Sequence, residues 1–241
     1  KFNGKLTNGI FAPWCMYKED FLAVGGHDEL FAPQSREDSD LFNRFVLNGY
    51  KVLQTWEGLV YHFTSRGSRF NKHAGGDIMK DSPEWQKTNS KNERNFIRKW
   101  GSFPQTTTLM NPIIIPKYQI GIVLKNCNHN LLFNLEPFCD RVYVDSDVNS
   151  YIESEQKNTT MNMHKRCYSI NSEVSDNIEI RIDGTTFNND DFNYIMQIPQ
   201  ILRDSGDIGS FELGNLQINI NSLETYQNNL IINKEKTHEY M

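Results

Sequence analysis

Ser35-Arg36-Glu37-Asp38-Ser39-Asp40-Leu41-Phe42-Asn43-Arg44-Phe45-Val46 is the stretch from which the rest of the chain can be read. Leu41, Phe42, Phe45 and Val46 stand at i, i+1, i+4 and i+5, which is one face of a helix. The spacing predicts that helix over 37–48, with Gly49 ending it. Three acids crowd its first turn, where the positive end of the helix dipole favours them. Ser35 as N-cap with Asp38 at N3 reads as a capping box. Asp40 and Arg44 read as an i, i+4 surface pair worth roughly a few tenths of a kcal/mol. Asp38 also precedes Leu41, Phe42, Phe45 and Val46 by three, four, seven and eight residues, so it shares their inward stripe. A carboxylate aimed inward must be hydrogen-bonded, paired, or at work in a cleft. In a cleft its surroundings set its basicity, which is what a general base needs. Cap and base both remain open on spacing alone.

Outward from this helix, 17–24 reads as a short helix stopped by Gly25-Gly26, since glycine accepts the left-handed conformation of a helix end. Residues 51–55 and 59–63 read as strands around a Glu57-Gly58 turn. His62 then ends a strand, where a neutral imidazole is either structural or a ligand for a divalent metal. The loop after it carries Arg66 and Arg69, either a solvated basic loop or forked donors for an anion such as a diphosphate. Ser82 as N-cap, Pro83 at the first helical position and Gly101 beyond the end delimit a helix over 83–100. Trp85, Asn89, Asn92, Phe96 and Trp100 lie near one side of it. Lys87, Lys91, Arg94 and Arg98 lie mostly on the other, as a solvated face or a surface for an anionic acceptor.

Pro104, Pro112 and Pro116 with three consecutive threonines mark 104–117 as a linker, because closely spaced prolines break helix and central strand alike. The expected division is 1–103, a linker at 104–117, and an appended domain at 118–241. Residues 119–124, 141–144 and 177–182 of the last part read as strands. Helices are expected over 130–138, 148–157 and 190–204, and a hairpin at Gly214-Asn215. Asp145-Ser146-Asp147 follows a strand as a metal-binding Asp-x-Asp would, but it sits where the next helix needs a cap.

The whole chain has 241 residues and a net charge of −5, which argues against a nucleic-acid binder. With 38% hydrophobic and 12% aromatic residues it can bury a core. It has no apolar run of about 20 residues, so no membrane span is expected. Cys15, Cys127, Cys139 and Cys167 lie far apart with no C-x-x-C pair, and the expectation is a reducing, cytoplasmic setting.

The run from Phe11 to Phe70 resembles the second half of a GT-A glycosyltransferase catalytic domain, of the family 2 and galactosyltransferase kind. The matching pieces are Ala12-Pro13-Trp14, the run from Lys18 through Gly25-Gly26-His27-Asp28-Glu29, and Glu37-Asp38-Ser39-Asp40-Leu41-Phe42-Asn43-Arg44. Gly49-Tyr50-Lys51-Val52 and Val60-Tyr61-His62-Phe63 follow. Asn95-Phe96-Ile97-Arg98-Lys99-Trp100-Gly101 is similar to the helix that closes such domains. The resemblance implies that Asp38 deprotonates an acceptor hydroxyl and that Glu37 steadies the acceptor or the loop. It implies that Gly25 and Gly26 form a loop beside donor and acceptor. Trp14, Asp28, Arg66 and Arg69 join them as substrate-binding positions. His62 completes the site of a divalent cation, manganese or else magnesium. The implied fold is α/β: the second half of a nucleotide-diphospho-sugar transferase domain followed by a smaller α+β domain. The implied activity is inverting transfer of a sugar from a nucleotide-diphosphate sugar to a glycan or other hydroxyl acceptor. Such enzymes carry a strand-ended Asp-x-Asp ahead of this region, so the chain is expected to be part of a longer enzyme. The rival expectation is a non-catalytic glycan- or protein-binding module derived from a transferase.

Overall fold

The computed structural model describes residues 1–61 and 68–226, and divides them into two compact units. The first comprises 1–93 and 104–114, the second 94–103 and the residues from 115 onward. The stretch expected as a linker therefore contributes to both.

In the first unit, β1 (Leu6–Asn8) leads to α1 (Lys18–Ala23) and α2 (Glu37–Leu47), and β2 (Leu53–Thr55) returns antiparallel to β1 with Leu6 opposite Thr55. Residues 59–61, read as the start of a strand, are exposed and irregular, and 62 and 63 lie outside the described residues. Helix α3 (Pro83–Trp100) has the expected limits, and Ser82 Oγ accepts from the Trp85 amide as its cap. Its residues to Glu93 count with this unit and the remainder with the second. The Thr-Pro stretch is a hairpin, β3 (Gln105–Thr106) paired with β4 (Pro112–Ile113), and β4 packs against α2. Threonine favours strands, and Asn111-Pro112 closes the turn. A small core joins Val24, Leu41 and Phe45, with Trp14, Met16, Phe21 and Tyr50 packed around it.

The second unit is a six-stranded mixed sheet. Its strands are β5 (Ile120–Lys125), β6 (Arg141–Val144), β7 (Cys167–Ser169), β8 (Ile178–Asp183), β9 (Gly209–Leu213) and β10 (Leu216–Ile220), in the order β7-β6-β5-β8-β10-β9. The first four run parallel, and β10 and β9 are antiparallel additions. Helices α4 (His129–Leu135), α5 (Val148–Glu155) and α6 (Asn189–Ser205) supply Leu132, Leu135, Ile152, Ile195, Ile198 and Leu202 to the core. Beneath them β8 alternates Ile178, Ile180 and Ile182 inward with Glu179, Arg181 and Asp183 outward, as a half-buried strand must. Asp147 caps α5 through the Asn149 amide, and Asp145 accepts from the amides of Asn126 and Cys127, so this Asp-x-Asp serves the backbone.

Arg94 and Arg98 correct the reading of α3 as carrying a solvated cationic face. Both are buried in an ionic cluster of the second unit. Arg98 donates to Glu136 at 2.6 Å and to Glu155 at 2.6 Å, Arg166 reaches Glu136 at 2.8 Å, and Arg94 reaches Glu155 at 3.2 Å. The 3.6-residue period places these side chains correctly on one stripe, but period alone does not say whether a charged stripe meets water or counter-charges. Burial would raise the Glu136 carboxyl, yet the charges of Arg166 and Arg98 outweigh it and hold it at about 2 against an ordinary 4.5.

Because that carboxyl is depressed in the folded state, its contribution is present above about pH 4.5 and lost as pH falls towards 2. Glu136→Gln leaves guanidinium groups buried without their shared counter-charge, and is expected to cost about 3–5 kcal/mol. Urea unfolding followed between pH 7 and pH 2.5 tests this. The variant is the less stable protein at neutral pH, and its stability falls less steeply in acid than that of the wild type.

Candidate active site

The acidic start of α2 is built differently from a capping box. Arg36, not Ser35, is the N-cap, and it makes no side-chain cap hydrogen bond. Ser35 and Arg36 both hold left-handed backbone, with φ of 80° and 73°. Two consecutive non-glycine residues in that region cost on the order of 1–3 kcal/mol each and persist only where their surroundings impose them. The surroundings here are three successive residues of α3. Lys91 Nζ donates to the Ala32 carbonyl at 2.7 Å, and Asn92 Nδ2 to the carbonyls of Phe31 and Gln34 at 2.6 Å each. Glu93 pairs with Arg36. Lys91 is thus engaged by the backbone of the loop while staying partly exposed.

Asp40 and Arg44 are not the surface pair that their spacing suggests. Asp40 is 0% exposed and the Arg44 side chain 2%, with Nη2 and Oδ2 at 2.8 Å. The other donors of Arg44 go to the backbone: Nη1 to the Val24 carbonyl and Nη2 to the Gly26 carbonyl at 2.5 Å. The physical reason is that α1 ends at the Gly25-Gly26 turn with carbonyls facing the core, and a forked guanidinium satisfies them where water cannot. Gly25 and Gly26 themselves have φ of 87° and 65°, and a Cβ on Gly26 would press against the Phe21 ring at 3.2 Å.

Glu37 and Asp38 line a cleft of about 360 Å3 in the first unit. Its other wall is the β3–β4 hairpin with Phe11. The two acids differ in their settings. Glu37 is half-buried; loss of hydration, reinforced by the charge of Asp38, raises its carboxyl despite the backbone amides that it accepts from, and its Oε2 is shut from solvent without a partner. Asp38 makes no hydrogen bond or ion pair to any described residue, so its oxygens are free to meet a ligand. Phe42 and Asn43 of the same helix border it.

The remaining expected site residues have other partners. Trp14 packs on the small core, edge-on to Phe42 with centroids 6.1 Å apart. Asp28 accepts from the Leu30 amide at 3.0 Å and caps a turn of 3-10 helix, Glu29–Phe31. Arg69 pairs with Asp81 at 2.5 Å and stacks over Trp85 at 4.5 Å. His62 and Arg66 lie outside the described residues. Among the described residues no group of three or more His, Cys, Asp and Glu side chains is disposed to hold a metal ion. The cleft is therefore a two-carboxylate site whose lining includes none of Trp14, Gly25, Gly26, Asp28 or Arg69.

Residues 3–72 match the chondroitin N-acetylgalactosaminyltransferase family. That segment is glycosyltransferase-related, and it contains α1, α2 and both cleft carboxylates. No curated protein and no solved structure matches the chain. The match ends before the hairpin, whose residues sequence reading assigned to a linker. The Asn111-Pro112 turn signal between two β-favouring runs was the available clue to it.

Arg44→Met leaves Asp40 charged in a dry core and the Val24 and Gly26 carbonyls unmet. The expected loss is about 3–5 kcal/mol. Arg44→Lys keeps the charge but not the fork and should fall between the two. Chemical denaturation of the three proteins gives the order. An Arg44→Met variant as stable as the wild type would remove this pair from the list of structural supports.

Proposed function

We propose that this chain carries the acceptor half of an inverting glycosyltransferase of GT-A type. It transfers a sugar, N-acetylgalactosamine as the first candidate, from a nucleotide-diphosphate donor to a hydroxyl of a glycan. The observation that carries the reading is the unpartnered Asp38 carboxylate beside a half-buried Glu37, in a cleft inside the segment that matches a transferase family. An inverting displacement needs one base at the acceptor oxygen, and a carboxylate with no internal partner can accept that proton. Glu37, whose carboxyl is raised by burial, can hydrogen-bond a neighbouring hydroxyl and fix the acceptor's orientation. The Gly25-Gly26 turn lies outside the cleft lining; tied to Arg44, it steadies α2, which carries both acids.

A divalent cation, manganese or magnesium, belongs to this reading through the resemblance and through His62. It would neutralise the leaving diphosphate. The described residues do not supply a ligand set for it, and no step here runs through it.

The test is turnover of UDP-N-acetylgalactosamine with a chondroitin oligosaccharide and manganese, followed by mass spectrometry and by NMR of the new anomeric centre. Asp38→Asn is expected to lower turnover by on the order of a hundredfold or more, with the fold retained because Asp38 has no internal partner. Full activity in that variant removes Asp38 as the base. A product that keeps the donor's configuration removes the inverting mechanism.

A further inference from the structure

Part of the cleft lining, Pro104, Gln105, Thr106, Met110 and Pro112, comes from residues outside the segment that matches the transferase family, and Phe11 from inside that segment adds to it. Phe11 is 60% exposed and Met110 is 38% exposed, and with the half-buried Pro104 they give an apolar part to the cleft that Glu37 and Asp38 also line. Gln105 and Thr106 add polar groups beside it. Single exposed apolar residues need no explanation, but several converging on an acidic cleft do.

The hairpin that carries this wall is held firmly. Thr107 N donates to the Asn111 carbonyl at 2.9 Å and Met110 N to the Thr107 carbonyl at 2.9 Å. The Met110 carbonyl accepts from Ile10 N at 3.3 Å. Gly9 lets the two strands of chain meet: a Cβ there would stand 1.7 Å from the Leu109 carbonyl oxygen. Met110 itself holds a left-handed φ of 63°, a strained conformation for a side chain with a Cβ. The backbone thus carries strain at a residue of the cleft lining.

We infer that the 104–113 hairpin, with Phe11, is the platform for the acceptor sugar and sets acceptor specificity. Its apolar surface takes the hydrogen-bearing face of a pyranose ring, while Glu37 and Asp38 take hydroxyls at the ring edge. This chemistry fits a ligand with one apolar face and a rim of donors, and it does not fit a flat hydrophobe, which would leave two carboxylates buried and unmet. The inference rests on the transferase reading only for the fate of the bound hydroxyl; the binding itself can be measured without turnover.

Saturation-transfer NMR and calorimetry on the full chain, with chondroitin hexasaccharide and with neutral cellohexaose as probes, test it. The wild type should bind at least one of them, and Met110→Ala and Phe11→Ala should each weaken that binding about tenfold. Both residues are exposed, so the variants should keep the wild-type circular dichroism. Binding by neither probe, or binding unchanged in both wall variants, overturns the inference. Wall-dependent binding without turnover of any nucleotide sugar would leave the platform standing and remove the transferase reading. Turnover that is indifferent to the wall variants, in acceptor KM and in kcat, would do the reverse.

Discussion

The guanidinium of Arg44 has five N–H donors and a charge, and it sits in a core too small to hide either unpaired. That constraint organises the first unit. Asp40 supplies the counter-charge one turn earlier on α2, and the carbonyls of Val24 and Gly26 take the remaining donors. A bidentate cation of this kind fixes direction as well as distance. It ties the end of α1 to the body of α2, so the glycine turn and the acidic helix start become parts of one rigid piece. Lysine, with a single point of charge, cannot bridge the same three acceptors.

With the body of α2 set, its first turn is pulled into place from the other side. Lys91, Asn92 and Glu93 are consecutive, so they point in three directions from α3, and each engages the chain between Phe31 and Arg36. This explains how two left-handed residues survive ahead of the helix. Each hydrogen bond adds only about 1 kcal/mol net, but three of them and an ion pair act on six residues. The strain at Ser35 and Arg36 is the local cost of turning Glu37 and Asp38 into a cleft rather than out to water.

Most of the elements were legible in the sequence, because they are written in periods and punctuation. Pro83 and Gly101 bracket α3, the stripe from Leu41 to Phe45 gives α2, and the alternation in 178–182 gives a strand of the second sheet. What was hidden depends on partners distant in sequence. Nothing local separates a surface Asp40–Arg44 pair from a buried one; the difference lies in carbonyls eighteen and twenty residues away. Arg98 and Arg94 are the same case, since their counter-charges, Glu136 and Glu155, come from a later stretch of chain. The hairpin at 104–113 was hidden for another reason. Its prolines signal a break, and the contacts of Leu109 with Gly9 and of Met110 with Ile10 show that the chain returns instead of leaving.

The candidate site divides along the same line. Sequence spacing put Asp38 on the apolar stripe of α2, and in the structure it lines the cleft together with Glu37. Their different settings were not, since neighbours in sequence share composition and charge. On a helix, successive residues point about 100° apart, and here that rotation separates an oxygen shut from water from a carboxylate with no internal partner. The first has its carboxyl raised by burial. The second has no internal bond to give up on meeting a ligand. Adjacent acids at a helix start can therefore present two different environments to one cleft. The hairpin lines that same cleft, and so the surroundings of the carboxylates depend on residues about seventy positions further along the chain.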